Sequence, residues 1–158
     1  MVIPRGFTLI EVMVTIAIIG LLAVVAAPYT ISWVHEAQVG EARTILSRAY
    51  SHAKSVALRN PDEKQGDEVA ASVLLDDEVL LVCVGEPDCD SATAVWQANW
   101  PAGVSLTMAI DGTTLSPRFN NRGQVLDNSG SPLNGGLTLS FSKGSIVRTD
   151  PEGTSEDQ

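Results

Sequence analysis

The sequence contains few of the side chains on which catalysis and metal binding most often depend. It has two histidines, His35 and His52, and two cysteines, Cys83 and Cys89. Both histidines stand alone in helical sequence, and we interpret them as surface or interfacial residues. No serine lies in a nucleophile motif such as G-x-S-x-G. We therefore expect no enzyme activity, no catalytic residue, no metal site and no cofactor.

Basic residues are also scarce. The chain of 158 residues has ten Lys and Arg against nineteen Asp and Glu, a formal net charge of -9. Residues 60–158 contain sixteen acidic and five basic residues, a difference of -11. Nucleic-acid binding depends on clustered Lys and Arg that displace the counterions of the phosphates. The charge therefore disfavours a DNA receptor, and we expect no nucleic acid among the partners.

Only one long apolar run occurs, and it covers residues 7–27 with a single charge, Glu11. As a helix these residues extend about 30 Å, which is enough to cross the hydrocarbon core of a bilayer. Arg5 precedes the run, and the next basic residue is Arg43. The positive-inside bias therefore predicts a cytoplasmic N-terminus and a globular part on the other side of the membrane.

Two ordinary interpretations of this run fit less well. A secretory signal peptide would match the small residues at 25–27, but its apolar region is typically 7–15 residues long and Pro28 would follow the cut directly. A simple membrane anchor leaves Glu11 unexplained, because an ionisable group inside a span is costly and usually functional.

The string Gly6-Phe7-Thr8-Leu9-Ile10-Glu11, followed by an apolar helix, resembles the prepilin signature of type IV pilins and type II secretion pseudopilins. The resemblance implies that a membrane peptidase cuts after Gly6 and N-methylates Phe7. It also implies that the Glu11 carboxylate pairs with the amino group of a neighbouring subunit's Phe7. Gly20 and Pro28 match positions where the helix of this family loosens in the filament.

The same resemblance implies the partners and the location. The expected partners are the prepilin peptidase, other minor pilins with the major pilin or pseudopilins, the inner-membrane assembly platform and the membrane itself. The precursor is expected to cross the inner membrane once, with a periplasmic globular domain, and then to enter a pilus or pseudopilus.

Beyond the span, the pattern predicts an α+β fold. Residues 28–59 continue as an amphipathic helix that ends before Pro61, and its apolar stripe is expected to pack on the protein's own sheet. The predicted organisation is a leader at 1–6, a long helix at 7–59, an antiparallel sheet domain at 60–149 and a flexible acidic tail at 150–158. The predicted strands are 69–75, 79–84, 93–98, 104–110, 114–119, 124–126, 137–142 and 145–148.

Three groups in the sheet domain have alternative interpretations. Cys83 and Cys89 favour a disulfide in an oxidising compartment, with free thiols or a metal site as alternatives that no nearby histidine supports. The acidic residues at 76–78 and 86–90 could hold calcium, but they lack EF-hand spacing and suit a solvated acidic face. Trp96 and Trp100 favour packing in the core or against another subunit over ligand stacking.

Within the prepilin class, the layout is similar to FimU/FimT-type minor pilins and GspH-type pseudopilins. The residues that carry this similarity are the Ala-rich helix end at 48–60, the strand leading to Cys83, the two tryptophans and the string FNNRG at 119–123. A disulfide near the C-terminus, as in major pilins, is absent. The expected function is a minor pilin that initiates assembly or forms the pilus tip, with a GspH-like pseudopilin as the alternative.

Overall fold

The long N-terminal helix dominates the computed structural model, which describes residues 6–110, 113–114, 116–127, 129–133 and 137–152. Helix α1 spans Leu9–Arg59, 51 residues. It ends where Asn60 adopts a left-handed conformation (φ 46°) and its N–H reaches the carbonyls of Val56 and Ala57. Asparagine tolerates this conformation, and Pro61 cannot continue the helix. The predicted end at residue 59 is confirmed, whereas leader residues 1–5 and tail residues 153–158 lie outside the described residues.

The rest of the described chain forms two antiparallel sheets. The strands are β1 Ala71–Asp76, β2 Val79–Val84, β3 Trp96–Asn99, β4 Ser105–Ile110, β5 Thr113–Thr114, β6 Arg118–Phe119, β7 Val125–Leu126, β8 Leu137–Lys143 and β9 Ile146–Glu152. One sheet has the order β3-β2-β1-β6-β7, and the other has the order β5-β4-β8-β9. The fold is therefore α+β, as predicted.

The sheet arrangement differs from the sequence prediction in two places. The strand expected at 114–119 is two short strands, β5 and β6, in different sheets. Pro117 lies between them, and it can accept a hydrogen bond from Val73 N but has no N–H to donate. Strand β9 also continues through Glu152, past residue 150 where we expected the tail to begin. Asp150 is held there by an ion pair with Arg43 of α1 (2.9 Å).

The core lies between the C-terminal half of α1 and both sheets. Its helix side is a buried stripe of four alanines and one leucine; these are Ala42, Leu46, Ala49, Ala53 and Ala57. Helix α1 contacts β1, β2, β3 and β6 of one sheet and β8 and β9 of the other. The expectation that this stripe packs on the protein's own sheet is confirmed.

Aromatic side chains fill the two ends of this core. Tyr50 of α1 meets the ring of Phe119 edge-on, with centroids 5.4 Å apart. Trp100 is buried, stacks near Phe141 (6.5 Å) and donates its indole N–H to Val104 O at 2.7 Å. Trp96 is half-buried on the edge strand β3. Core packing is therefore the role of Trp100.

Cys83 and Cys89 form a disulfide that closes the loop after β2, with Cα atoms 5.7 Å apart. Closing so short a loop should stabilise the fold by about 2 kcal/mol, chiefly by constraining the unfolded chain. We expect a thiol reductant to lower the free energy of unfolding of the wild-type protein by this amount, which lowers its urea midpoint by about 1 M. The paired substitution Cys83→Ala with Cys89→Ala serves as the control, because its midpoint should not respond to reductant. Two titratable thiols in denatured, non-reduced wild type would contradict the bridge.

Candidate functional site

The N-terminus of α1 is organised around Thr8. Thr8 is the N-cap residue, with extended backbone (φ -80°, ψ 150°), and its Oγ1 accepts a hydrogen bond from Glu11 N at 3.3 Å. Threonine followed three residues later by glutamate is the sequence pattern of a capping box. The cap was missed at the sequence level, although this pattern was present to find it. It fixes the start of the helix two residues after Phe7.

Glu11 lies in the first turn of the helix, where the positive end of the helix dipole favours a carboxylate. Its side chain is exposed and has no ion pair or hydrogen bond within the described residues. Gly6 has no atom within 4 Å of the position where a Cβ would stand, and Phe7 is 83% exposed. Gly6, Phe7 and Glu11 therefore form one accessible group at the end of the helix.

The half of α1 that follows this group contacts no other part of the described protein. All described side chains of residues 6–34 are exposed, including large apolar ones such as Leu9, Ile19, Leu21 and Val24. The helix is long and apolar enough to cross a membrane, although core helices and signal sequences can satisfy the same criterion. Its backbone is helical through Gly20 and Pro28, so loosening at these positions remains a prediction for the filament.

The remaining candidate residues have structural roles. His52 stacks on Trp96 with centroids 5.2 Å apart, and His35 lies beside Gly144. Within the described ranges, no three His, Cys, Asp or Glu side chains converge as a metal site would require. The acidic loops are shaped by their own turns. Hydrogen bonds from the hydroxyl and N–H of Thr93 and from the Ala92 N–H lower the pKa of Asp90.

A similar turn surrounds Asp127, and the arginines of the sheet domain (residues 60–152, which we call the head) take part in ion pairs, as does Arg43 of α1. The Ser129 hydroxyl and the backbone N–H groups of Ser131 and Ser129 donate to Asp127 and lower the pKa of its carboxyl group. The ion pairs are Arg43–Asp150, Arg118–Glu86 (3.6 Å), Arg122–Asp67 (3.1 Å) and Arg148–Glu36. Such exposed pairs add little stability, but each places an acidic neighbour beside its arginine.

Comparison with known proteins agrees with the geometry of the N-terminus. The family described as "Prokaryotic N-terminal methylation motif" matches residues 4–27. The type IV major pilin protein PilA of Myxococcus xanthus is 47% identical over 51 residues, 32% of this chain and 23% of that protein. A fimbrial protein of Neisseria meningitidis is 39% identical over 75 residues, 48% of this chain and 44% of that protein.

The similarity to a third relative extends further along the chain. The type IV major fimbrial protein FimA of Dichelobacter nodosus is 28% identical over 109 residues, 69% of this chain and 65% of that protein. The chain thus spans less than two thirds of each of these relatives. No solved structure matches it significantly. The chain carries the N-terminal methylation motif of prokaryotic prepilins, and its homologues are type IV pilins and fimbrial proteins.

Proposed function

We propose that this chain is a prepilin that is cut after Gly6 and that its mature form, beginning at N-methylated Phe7, enters a type IV pilus as a minor subunit. It helps to initiate assembly or forms the tip of the pilus. The observation that carries this proposal is the continuity of α1. The methylation motif at 4–27 includes the beginning of a helix whose first half packs against nothing in its own domain.

The exposed half of α1 requires two apolar environments in turn. Before assembly, the bilayer core covers it, and afterwards the helices of neighbouring subunits do so. The Glu11 carboxylate favours the second state, because the amino group of a neighbour's Phe7 can pair with it there. Thr8 supports this arrangement by capping the helix with Oγ1 while the carboxylate stays free for the neighbour. The peptidase creates the amino group on which this pairing depends.

The head domain favours a minor subunit over a major one. Its disulfide closes a loop in the middle of the domain and not near the C-terminus. Strand β9 is held to α1 by the ion pairs Arg43–Asp150 and Arg148–Glu36. The identities to major pilins cover less than two thirds of those proteins. A GspH-like pseudopilin of a type II secretion system is the alternative, and the neighbouring genes would distinguish the two.

The proposed partners and location follow from this assignment. The peptidase, the assembly platform and other pilins act on a precursor that crosses the inner membrane once, with the head in the periplasm. Nucleic acid remains outside the proposal. The net charge of the head is strongly negative, and Arg118 and Arg122 are each paired with an acidic side chain. A polyanion would therefore meet repulsion rather than a basic patch.

The test of the proposal is the intact mass of the protein purified from its own membranes. We expect the loss of residues 1–6 and the gain of one methyl group, because cleavage after Gly6 exposes Phe7 to methylation. The same chain expressed in a host without a prepilin peptidase is the control, and it should retain all six residues and carry no methyl group. A mature N-terminus at Pro28 would instead identify a secretory signal peptide.

A further inference from the structure

A short segment of α1 lies between the candidate membrane span and the head. Within this segment, which we call the collar (residues 30–34), Trp33 is 75% exposed, Ile31 is 57% exposed and Val34 is 48% exposed. Thr30 and Ser32 are exposed as well. The helix becomes buried against the head only further along, where Val39 is 3% exposed. The collar is therefore uncovered on all sides, although it contains a large aromatic residue.

The length of the helix determines where the collar lies relative to a bilayer. Trp33 follows Leu9, the first helical residue, by 24 positions, so it lies about 36 Å further along the helix axis. The hydrocarbon core is about 30 Å thick, and the polar headgroup layers extend the bilayer to about 40–45 Å. With Leu9 at the cytoplasmic edge of the core, Trp33 lies roughly 6 Å beyond the opposite edge, within the outer headgroup layer.

The chemistry of the collar fits this layer. An indole ring has a large apolar body and one N–H donor, and tryptophan is enriched where hydrocarbon meets water. No Lys or Arg occurs between Arg5 and Arg43, and the one histidine of this stretch, His35, is half-buried beside Gly144. Glu36 is the first Asp, Glu, Lys or Arg after Glu11 and marks the beginning of the hydrated part of the helix. Trp33 is thus the side chain of the collar that suits an interface with phospholipid headgroups.

We infer that Trp33 is an interfacial anchor that binds the outer phospholipid headgroup layer while the subunit waits in the membrane. This inference rests on the proposed function, because it concerns the membrane-inserted state before assembly. Lipid is favoured over a second copy of the chain as the occupant because every described side chain from Phe7 to Val34 is exposed, on both sides of residues 27–29. The lipid that surrounds the span therefore also contacts the collar. The anchor fixes the height of the head above the membrane.

Depth-dependent fluorescence quenching tests the inference. The mature chain is reconstituted at high dilution into vesicles of phosphatidylethanolamine and phosphatidylglycerol that contain lipids brominated either near the glycerol end or near the methyl end of the acyl chain. The spectrum of Trp33→Phe is subtracted from that of wild type, which isolates Trp33 without disturbing the buried Trp100. We expect Trp33 emission to be quenched more by the shallow bromines than by the deep ones. Emission from Trp96 and Trp100 in the head should be unaffected by both.

The other outcomes each overturn the inference in a recognisable way. Stronger quenching by the deep bromines would place Trp33 within the hydrocarbon. Quenching by acrylamide alone, in a chain that resists carbonate extraction, would place it in water and leave the proposed function standing. Protection that appears only at high protein density would identify a second copy as the occupant. A chain that carbonate removes from the vesicles would refute both the inference and the proposed function.

Discussion

Replacing Glu11 with leucine should leave the precursor processed and inserted in the membrane and yet reduce its entry into filaments. The carboxylate is exposed at the first turn of α1 and has no partner among the described residues. In a bilayer its charge is unfavourable, whereas in a filament it can pair with the amino group of a neighbour's Phe7. Leucine removes the unfavourable charge from the bilayer and also the ion pair from the filament. The substitution therefore stabilises the membrane-inserted state relative to the assembled state.

The size of this shift is limited by the position of Glu11. An ionisable residue at the centre of a span costs about 2.5–3.5 kcal/mol on insertion scales. Glu11 is the fifth residue from Phe7 and lies near the end of the span, where the cost is lower. The dipole of α1 also favours a negative charge in the first turn. We therefore expect a partial assembly defect, in which contacts made by the head retain part of the incorporation.

The measurement compares wild type, Glu11→Leu and two controls in sheared filament fractions, with cross-linking in membranes alongside. Glu11→Gln keeps the shape and removes the charge, so it should share the defect. Val12→Leu changes an exposed neighbour and should assemble as wild type does. If Glu11→Leu also assembles as wild type does, the carboxylate does not determine assembly. The head alone would then recruit the subunit.

The N-terminal site was predictable because its evidence is local. Gly6, Phe7 and Glu11 belong to one string, and the length of the apolar run that follows is enough to predict the helix. The end of α1 was equally local, since Asn60 and Pro61 stop it. Strands β1 and β2 were predicted to within two residues, because a two-residue turn at 77–78 separates two apolar runs. In each case the residues that determine the structure are neighbours in sequence.

What the sequence did not disclose depends on distant residues. The division into two sheets follows from pairings such as Ser72 with Arg118, which no local pattern indicates. The ion pair between Arg43 and Asp150 likewise joins residues far apart in the sequence, and with the pairing to β8 it holds the extended end of β9 in place. The string FNNRG at 119–123 was noticed only as a resemblance, and its physical role becomes visible in the contacts of Asn120.

Asn120 is fully buried and connects two parts of the head. Its Oδ1 accepts hydrogen bonds from the backbone N–H groups of Arg122 (3.1 Å) and Gln124 (3.0 Å). Its Nδ2 donates to Asp67 Oδ1 at 3.2 Å and to the Gln124 side chain at 3.1 Å. Asp67 belongs to the segment that leaves α1, so Asn120 ties this segment to the turn between β6 and β7.

Asn120→Ala should therefore destabilise the head strongly. It removes the acceptor of two backbone N–H groups and one donor to a carboxylate, and buried groups left unsatisfied cost about 1–3 kcal/mol each. Because Arg122 is exposed and water can reach its N–H, we expect a loss of about 3 kcal/mol rather than the full sum. For a domain of this size the melting temperature should fall by about 15 °C. Calorimetry of the mature chain in detergent micelles measures both quantities.

The adjacent Asn121 offers a matched control. Its Nδ2 donates to Lys64 O at 2.8 Å, while its buried Oδ1 has no hydrogen-bond partner in the described part of the chain. Asn121→Ala removes one bond together with one unsatisfied oxygen, so it should cost about 1 kcal/mol or less. Equal losses of unfolding free energy for the two variants would show that the turn is stable without the hydrogen bonds of the Asn120 side chain.

The Asn120 variant also separates the two routes by which the subunit can enter a filament. It destabilises the head while leaving Gly6, Phe7, Thr8 and Glu11 unchanged. Glu11→Leu changes the N-terminal group and leaves the head unchanged. If head contacts supply the residual assembly of Glu11→Leu, adding Asn120→Ala should remove that remainder at a temperature between the two melting temperatures, where the Asn120→Ala head is unfolded and the wild-type head is folded. Asn121→Ala in the same background should not, because it leaves the head nearly as stable as before. A double variant with Asn120→Ala that retains the partial level of incorporation at this temperature would show that recruitment does not depend on the folded head.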